Sequence, residues 1–253
     1  MDIGIAANKL KALRGALSVT ERDMLLNSPL VSGLSAQLQC ELIERGCYTS
    51  HKRGEFLFMD NDTIDHVYYL LSGKAREYYC TGDGSDCLRC LHSPGSYISL
   101  HMAMSQEQIY PYSCEILRSA SFYTWKVSDL KQIVSEESEL SHKMLLLLSS
   151  YVEASCRKIC LCRKSQAVSR VAAYLLSLDK GNQVGCPCYA SLTANKTSAN
   201  IRPVNFSAND VCLARETFSR ALTLLKDKNL VNIDQGYVNI LDVEGLKRVS
   251  EGS

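Results

Sequence analysis

Between about residues 48 and 125 the chain alternates short apolar runs with turns. The runs are G-E-F-L-F-M, D-H-V-Y-Y-L-L, A-R-E-Y-Y-C, C-L-R-C-L-H, G-S-Y-I-S-L, Y-S-C-E-I-L and S-F-Y-T-W, separated by D-N-D-T, L-S-G-K, T-G-D-G-S-D and S-P-G-S. Aromatic-rich runs at this spacing predict an antiparallel barrel or sandwich, with T-G-D-G-S-D as its clearest hairpin tip. After Trp125 the period becomes helical. S-D-L-K-Q-I-V reads as a short helix with Ser128 as N-cap. From about Ser138 to Cys162, Leu140, Met144, Leu147, Tyr151 and Ala154 recur at 4-3-4-3 spacing, a heptad seam flanked by Leu145, Leu146 and Leu148. That helix is expected to turn one face to its barrel and another to a partner helix. Residues 1–28 carry a partial apolar face, Leu10, Leu13, Leu17, Met24 and Leu25, and read as one or two helices.

The last part of the chain is again helical, then extended. Lys164 to Leu178 has apolar positions at Val168, Val171, Ala172, Leu175 and Leu176, and a loop-like stretch at 183–206 follows. S-A-N-D at 207–210 has capping-box spacing. It leads into A-R-E-T-F-S-R-A-L-T-L-L-K, Ala214 to Lys226, and then N-L-V-N-I, D-Q-G and Y-V-N-I-L form two strands around a tight turn. Helix, turn, helix and hairpin in this order describe a winged helix-turn-helix, whose second helix offers its N-terminal side chains to the major groove. Here those are Arg215, Glu216, Thr217, Ser219 and Arg220, with Phe218, Leu222 and Leu225 behind them. Arginine can grip guanine O6 and N7, glutamate can accept from cytosine N4, and a hydroxyl can anchor a phosphate.

Charge refines this picture. The net charge is only +1, so any nucleic-acid surface must be local. Cys156 to Lys180 holds six basic residues against one acid, whereas Ser207 to the end holds six against seven. The longest strongly apolar run, M-L-L-L-L at 144–148, is far too short to cross a bilayer, and the chain reads as cytoplasmic. Twelve cysteines are then unexpected. In a reducing compartment they point to metal, cluster or redox chemistry rather than to a disulfide framework. Cys40, Cys47 and Cys212 sit alone beside apolar neighbours and read as packing. Cys80, Cys87 and Cys90 flank the hairpin tip. Cys87 and Cys90 have CxxC spacing but point to opposite faces of a regular strand. Cys156 and Cys160 share a helix face. Arg89, Arg157, Lys158 and Arg163 nearby would favour thiolates, which could hold zinc or an Fe–S cluster. C-P-C at 186–188 would suit a metal better than an intramolecular disulfide.

From about Pro29 onward the chain resembles the CRP/FNR regulators. The resemblance rests on P-L-V-S-G-L-S, K-R-G-E-F-L-F, V-Y-Y-L-L-S-G-K-A-R, D-G-S, S-P-G-S-Y-I-S-L, V-S-R-V-A-A-Y-L-L and R-E-T-F-S-R, in the family's order. It implies an α+β fold: an antiparallel, jelly-roll-like β-roll sensor at 29–127, a connecting and dimerisation helix at 128–162, and a winged helix-turn-helix at 163–253, after an N-terminal helical segment at 1–28. It also implies a homodimer on a palindromic operator, with RNA polymerase as a further partner. Glu216, Ser219 and Arg220 would read the half-site. E-x-x-S-R is similar to the FNR branch, which prefers TTGAT-like half-sites, while Arg215 also matches the CRP branch. Ser207 to Glu216 is about four residues short of the family's full helix and turn. The Gly-Glu pair and Arg that hold a cyclic nucleotide are replaced between Ser99 and Cys114, which argues against that ligand. The FNR-type N-terminal cysteines are absent. G-S-Y-I-S-L-H aligns with the segment that supplies a haem histidine in the carbon-monoxide-sensing branch, making His101 the haem alternative to thiolates at Cys80, Cys87, Cys90, Cys156 and Cys160. Two rivals stand beside this reading: a metal-dependent cupin-like barrel enzyme, and a barrel-helix adaptor with a degenerate DNA module. The five histidines, at 51, 66, 92, 101 and 142, make no H-x-H or H-x-x-x-H set, which argues against the enzyme.

Overall fold

The computed structural model describes residues 17–80, 82, 86–179, 208, 211–234 and 237–252. The segment before Leu17, the hairpin tip beyond Gly82, the C-P-C loop and most of S-A-N-D lie outside the described residues. The chain divides into two compact units, with the division between Ser149 and Ser150.

In the first unit, helix α1 (Val19–Leu26) begins with a reciprocal cap in which the Ser18 hydroxyl accepts from the Glu21 N–H and the Glu21 carboxylate accepts from the Ser18 N–H. Helix α2 is Ala36–Glu44. A six-stranded antiparallel sheet follows: β1 (Gly46–His51), β2 (Phe56–Phe58), β3 (His66–Cys80), β4 (Asp86–His92), β5 (Tyr97–Ile98) and β6 (Ser113–Lys126). Its main path runs β1-β6-β3-β4, with β2 on β6 and β5 on β3. A one-turn helix, α3 (Leu100–Ala103), lies between β5 and β6.

The alternation suggested shorter strands than the chain forms. L-S-G-K is not a turn: D-H-V-Y-Y-L-L and A-R-E-Y-Y-C belong to one 15-residue strand, β3. Register shifts between Leu70 and Ala75 let β3 bend against β6 without breaking. Gly73 makes this possible. Its φ is +91°, and a Cβ there would stand 2.4 Å from the Ser119 carbonyl oxygen. Gly46 is needed for a different reason: a Cβ would meet the Tyr123 ring at 2.3 Å. That closeness lets Tyr123 and Trp125 of β6 donate hydrogen bonds to the carbonyls of Ile43 and Leu42, pinning α2 to the sheet. One apolar cluster, including Leu25, Leu42, Tyr69, Trp125, Leu130 and Leu140, joins helices to the sheet. Another fills the roll with Phe58, Leu70, Cys114, Ile116 and Phe122.

Helix α4 is Val127–Glu136; it is capped by Lys126, and Ser128 lies inside its first turn, so the predicted cap is displaced by two residues. Helix α5 spans Ser138–Cys162. The seam residues Leu140, Met144 and Ala154 are buried within the chain itself. The apolar residues left in solvent lie elsewhere: Leu145, Leu146, Val152 and Ile159 are each more than half exposed.

In the second unit, α6 (Ala167–Asp179), α7 (Arg215–Asp227), β7 (Val231–Asp234), β8 (Tyr237–Ile240) and α8 (Val243–Glu251) surround a core of Val171, Tyr174, Leu175, Phe218, Leu222, Leu225 and Leu246. Strands β7 and β8 pair antiparallel, from Val231 opposite Ile240 to Asp234 opposite Tyr237. Helix α8 was not anticipated from the sequence. Its Asp242 cap accepts from the Gly245 N–H, and Gly245 leaves room for Leu230.

Candidate nucleic-acid interface and sensor residues

Helix α7 divides cleanly by face. Phe218, Ala221, Leu222 and Leu225 are buried, while Arg215, Glu216, Thr217, Ser219 and Arg220 are all exposed. Burying side chains such as Phe218, Leu222 and Leu225 contributes roughly 1.5–3 kcal/mol each, which fixes the helix from behind and leaves its front for recognition. The helix starts at Ala214 with no side-chain cap. Its first N–H groups thus have no side-chain competitor, a natural seat for a backbone phosphate. The preceding turn is held by the Leu213 N–H donating to the Ala208 carbonyl and by Arg170 Nη1 reaching the Cys212 carbonyl at 3.5 Å.

The sensor candidates are distributed differently. Cys80 and Cys87 are exposed on the hairpin and stand opposite Asp86 and Tyr79 respectively. Cys90 is buried opposite Glu77. A bulge changes the strand logic here: Glu77 pairs with Cys90 and Tyr78 with Leu88, so Arg89 is an extra residue. That extra residue resets the alternation and brings Cys87 and Cys90 to the same face, where a regular strand would have separated them.

The bulge also assembles a buried polar cluster that the sequence did not reveal. Glu77 is fully buried, and one carboxylate oxygen takes an ion pair from Arg89 while the other lies 3.3 Å from His92 Nε2. Arg89 also donates to His101 Nε2 at 3.2 Å and covers the Tyr112 ring at 4.3 Å. Burial alone would raise the Glu77 carboxyl, but the neighbouring His92 and Arg89 charges outweigh it and hold its pKa down at about 2. His101 moves the other way from most paired histidines: burial, then Arg89, pushes it down to about 4. It is neutral near pH 7, and because a guanidinium only donates, Nε2 is the acceptor and Nδ1 carries the proton.

Ligating atoms of Glu77, Cys90 and His92 lie within 4.8 Å of one another, a carboxylate–thiol–imidazole set of the kind that holds zinc or iron. The residues do not fit an ion as they stand. Arg89 already neutralises the carboxylate, and the Cys90 thiol donates to the Leu91 carbonyl at 3.6 Å. Nor do they fit a cyclic phosphate, since a buried carboxylate engages Arg89 and would face the anion. For haem, Nε2 of His101 is taken by Arg89. Cys156 and Cys160 are both exposed on α5. Of the cysteines read as packing, Cys47 and Cys212 are exposed and Cys40 half-buried, so that reading is corrected; Cys114, fully buried in the roll, is a packed thiol.

A β-roll unit joined to a unit whose uncapped, polar-fronted helix precedes a two-stranded wing defines a DNA-binding regulator. Residues 48–137 match the cyclic nucleotide-binding domain, and residues 169–249 match the Crp-like helix-turn-helix domain. The chain is 26% identical over 235 residues to the transcriptional activator protein Anr of Pseudomonas protegens, covering 89% of this chain and 91% of that protein. It is 25% identical over 217 residues to the transcriptional activator protein FnrA of Stutzerimonas stutzeri, covering 84% and 83%. Its fold is similar to that of FixK2 from Bradyrhizobium japonicum, with a TM-score of 0.60 at 17% identity over 80% of this chain and 96% of that one. The chain belongs to the CRP/FNR family of transcription regulators: it is a DNA-binding regulator and not an enzyme. No helix among the described residues is long and apolar enough to cross a membrane.

Proposed function

We propose that the protein binds a palindromic operator as a homodimer, through Arg215, Glu216, Thr217, Ser219 and Arg220, and that a redox or gaseous signal changes its affinity. The observation that carries the DNA reading is the two-faced α7, with every one of these side chains in solvent over a buried apolar back. Half-sites would lie about one helical turn, roughly 34 Å, apart. RNA polymerase is the further partner, and the compartment the cytoplasm. Arg220→Ala should weaken operator binding by about 1–3 kcal/mol, with discrimination relaxed at one base pair. Gel shifts across mutated half-sites test this; uniform weakening at every site would mean that Arg220 touches only phosphate.

The signal-receiving group is read as thiolate-bound metal or Fe–S cluster, with Cys156 and Cys160 as ligands and Cys80, Cys87 and Cys90 as the hairpin candidates. Support comes from the exposed i, i+4 pair on α5, where Arg157 and Lys158 lie between the two thiols. Replacing Cys156 and Cys160 by Ser removes two soft ligands at nearly constant size. Protein purified without oxygen should carry a metal and a visible absorption band that the double variant loses. Equal metal content in both would remove Cys156 and Cys160 from the site.

A further inference from the structure

The turn in front of α7 holds a conformation that side chains seldom adopt. Cys212 has φ 53°, in the left-handed region. A non-glycine residue stays there only where its surroundings dictate it. Two contacts do so here. The Leu213 N–H donates to the Ala208 carbonyl at 3.0 Å, and Nη1 of Arg170, on α6, reaches the Cys212 carbonyl at 3.5 Å. The same guanidinium donates through Nε to the Lys164 carbonyl at 2.5 Å. Lys164 is fixed in turn, because its ammonium donates to the Ser250 carbonyl in the last turn of α8 at 2.7 Å. One planar group on α6 thus spans two main-chain segments, one ahead of α6 and one ahead of α7.

We propose that Arg170 is a positioning residue for base recognition: it sets where α7 begins and so how well Arg215 and Glu216 discriminate between operators. The inference rests on the DNA-binding reading above and adds a specificity-determining residue to it. The packing of α7 shows why such a residue is needed. Its first buried side chain is Phe218, so the apolar back holds the helix from that point onward. Arg215, Glu216 and Thr217 lie ahead of it, and the Ala214 cap makes no side-chain hydrogen bond that would fix the start. The placement of these three therefore falls to the turn, and the turn is tied down by Arg170.

Arginine suits this task. Its rigid fork aims donors in separate, fixed directions, whereas an ammonium is a point charge that would serve one carbonyl at a time. The consequence for DNA is selective. Contacts to base edges demand exact placement of the reading side chains, while attraction to phosphate tolerates small shifts. Loosening the turn should therefore erode sequence discrimination and leave binding to DNA of any sequence intact. Arg170 is half-buried, and Nε and Nη1 are both given to the main chain, so its effect passes through other side chains rather than through a contact of its own.

The test uses the full-length protein and an operator recovered by selection from random-sequence DNA. Arg170→Lys keeps the charge and the stem but loses the fork; Arg170→Gln, which loses the charge as well, guards against an effect peculiar to lysine. In both, operator affinity followed by fluorescence anisotropy should fall about tenfold. Affinity for scrambled DNA, and the slope of log affinity against log salt, should stay at the parent's values. In a background that already carries Arg215→Ala and Glu216→Ala, Arg170→Lys should cost less than about twofold more, because its effect runs through those two side chains. A role confined to the fold would lower operator and scrambled-DNA affinity together and cost the same in both backgrounds, and that result overturns the proposal. So does operator affinity that is unchanged in both variants, or a salt slope smaller by about 0.9, which would make Arg170 a phosphate contact. If selection recovers no preferred sequence, the DNA reading fails and this inference with it. If an operator is recovered and the variants bind it as the parent does, this inference alone fails.

Discussion

At the scale of single residues, the unusual feature is a buried carboxylate in a β-roll. Glu77 is tolerated because Arg89 and His92 face it, and Arg89 reaches it only because the bulge in β4 gives that residue an extra place. His101 stabilises the cluster only while neutral, since a proton on it would stand against the Arg89 guanidinium. The pH dependence follows. The folded-state value of His101, about 4, lies below its ordinary value, so the unfolded chain takes up a proton first as pH falls. Its contribution is complete above about pH 6.5 and is lost progressively down to about pH 4, at most about 3 kcal/mol across the interval. Glu77 acts in the next window. Its depressed carboxyl stabilises the fold above about pH 4.3, and that contribution is lost as pH falls through about 2. Urea midpoints of the first unit's unfolding should therefore drop between pH 7 and pH 4.5, and His101→Gln should flatten the drop. An identical slope in the variant would mean that His101 is not the group titrating.

At the scale of elements, the sequence and the structure agree where one period dominates. The helical spacing from Ser138 to Cys162 matches α5 at both ends, and the apolar spacing of Phe218, Leu222 and Leu225 gives the buried face of α7. They part where local sequence is a poor guide to pairing. Gly73 reads as a turn in L-S-G-K, yet β6 running alongside keeps the strand going through it. The bulge at Arg89 has no signature in C-L-R-C, because its cause is the register of β3 beyond it. Glu77 was legible in principle: in A-R-E-Y-Y-C it falls at an inward position of the alternation, and a charged residue there calls for a partner. Helix α8 could have been found from Asp242 as a cap followed by Leu246 and Val249 at helical spacing.

For the whole molecule, the decisive surface is the face of α5 that the chain does not cover. The heptad seam inferred from Leu140, Met144, Leu147, Tyr151 and Ala154 faces inward, at least through its buried members. The exposed apolar side chains Leu145, Val152 and Ile159 repeat at seven-residue intervals, which is the spacing of a two-helix contact. A dimer along this line would cover apolar surface that is otherwise costly to leave in water, and it would present two copies of α7 to one operator. That matters because a single chain has a net charge of only +1 and no strong field to hold DNA. Each copy adds its own phosphate contacts, and the slope of log affinity against log salt grows by about 0.9 for each phosphate neutralised. Val152→Glu puts a charge at the centre of the line without touching α7. It should shift the protein from dimer to monomer in sedimentation equilibrium while leaving the helical circular dichroism of each unit intact. On a full operator the variant's salt slope should fall to about half that of the parent protein, matching the parent's slope on a single half-site. A variant that stays dimeric would move the interface off this face. One that becomes monomeric and keeps the full slope would mean that a single α7 carries all the phosphate contacts.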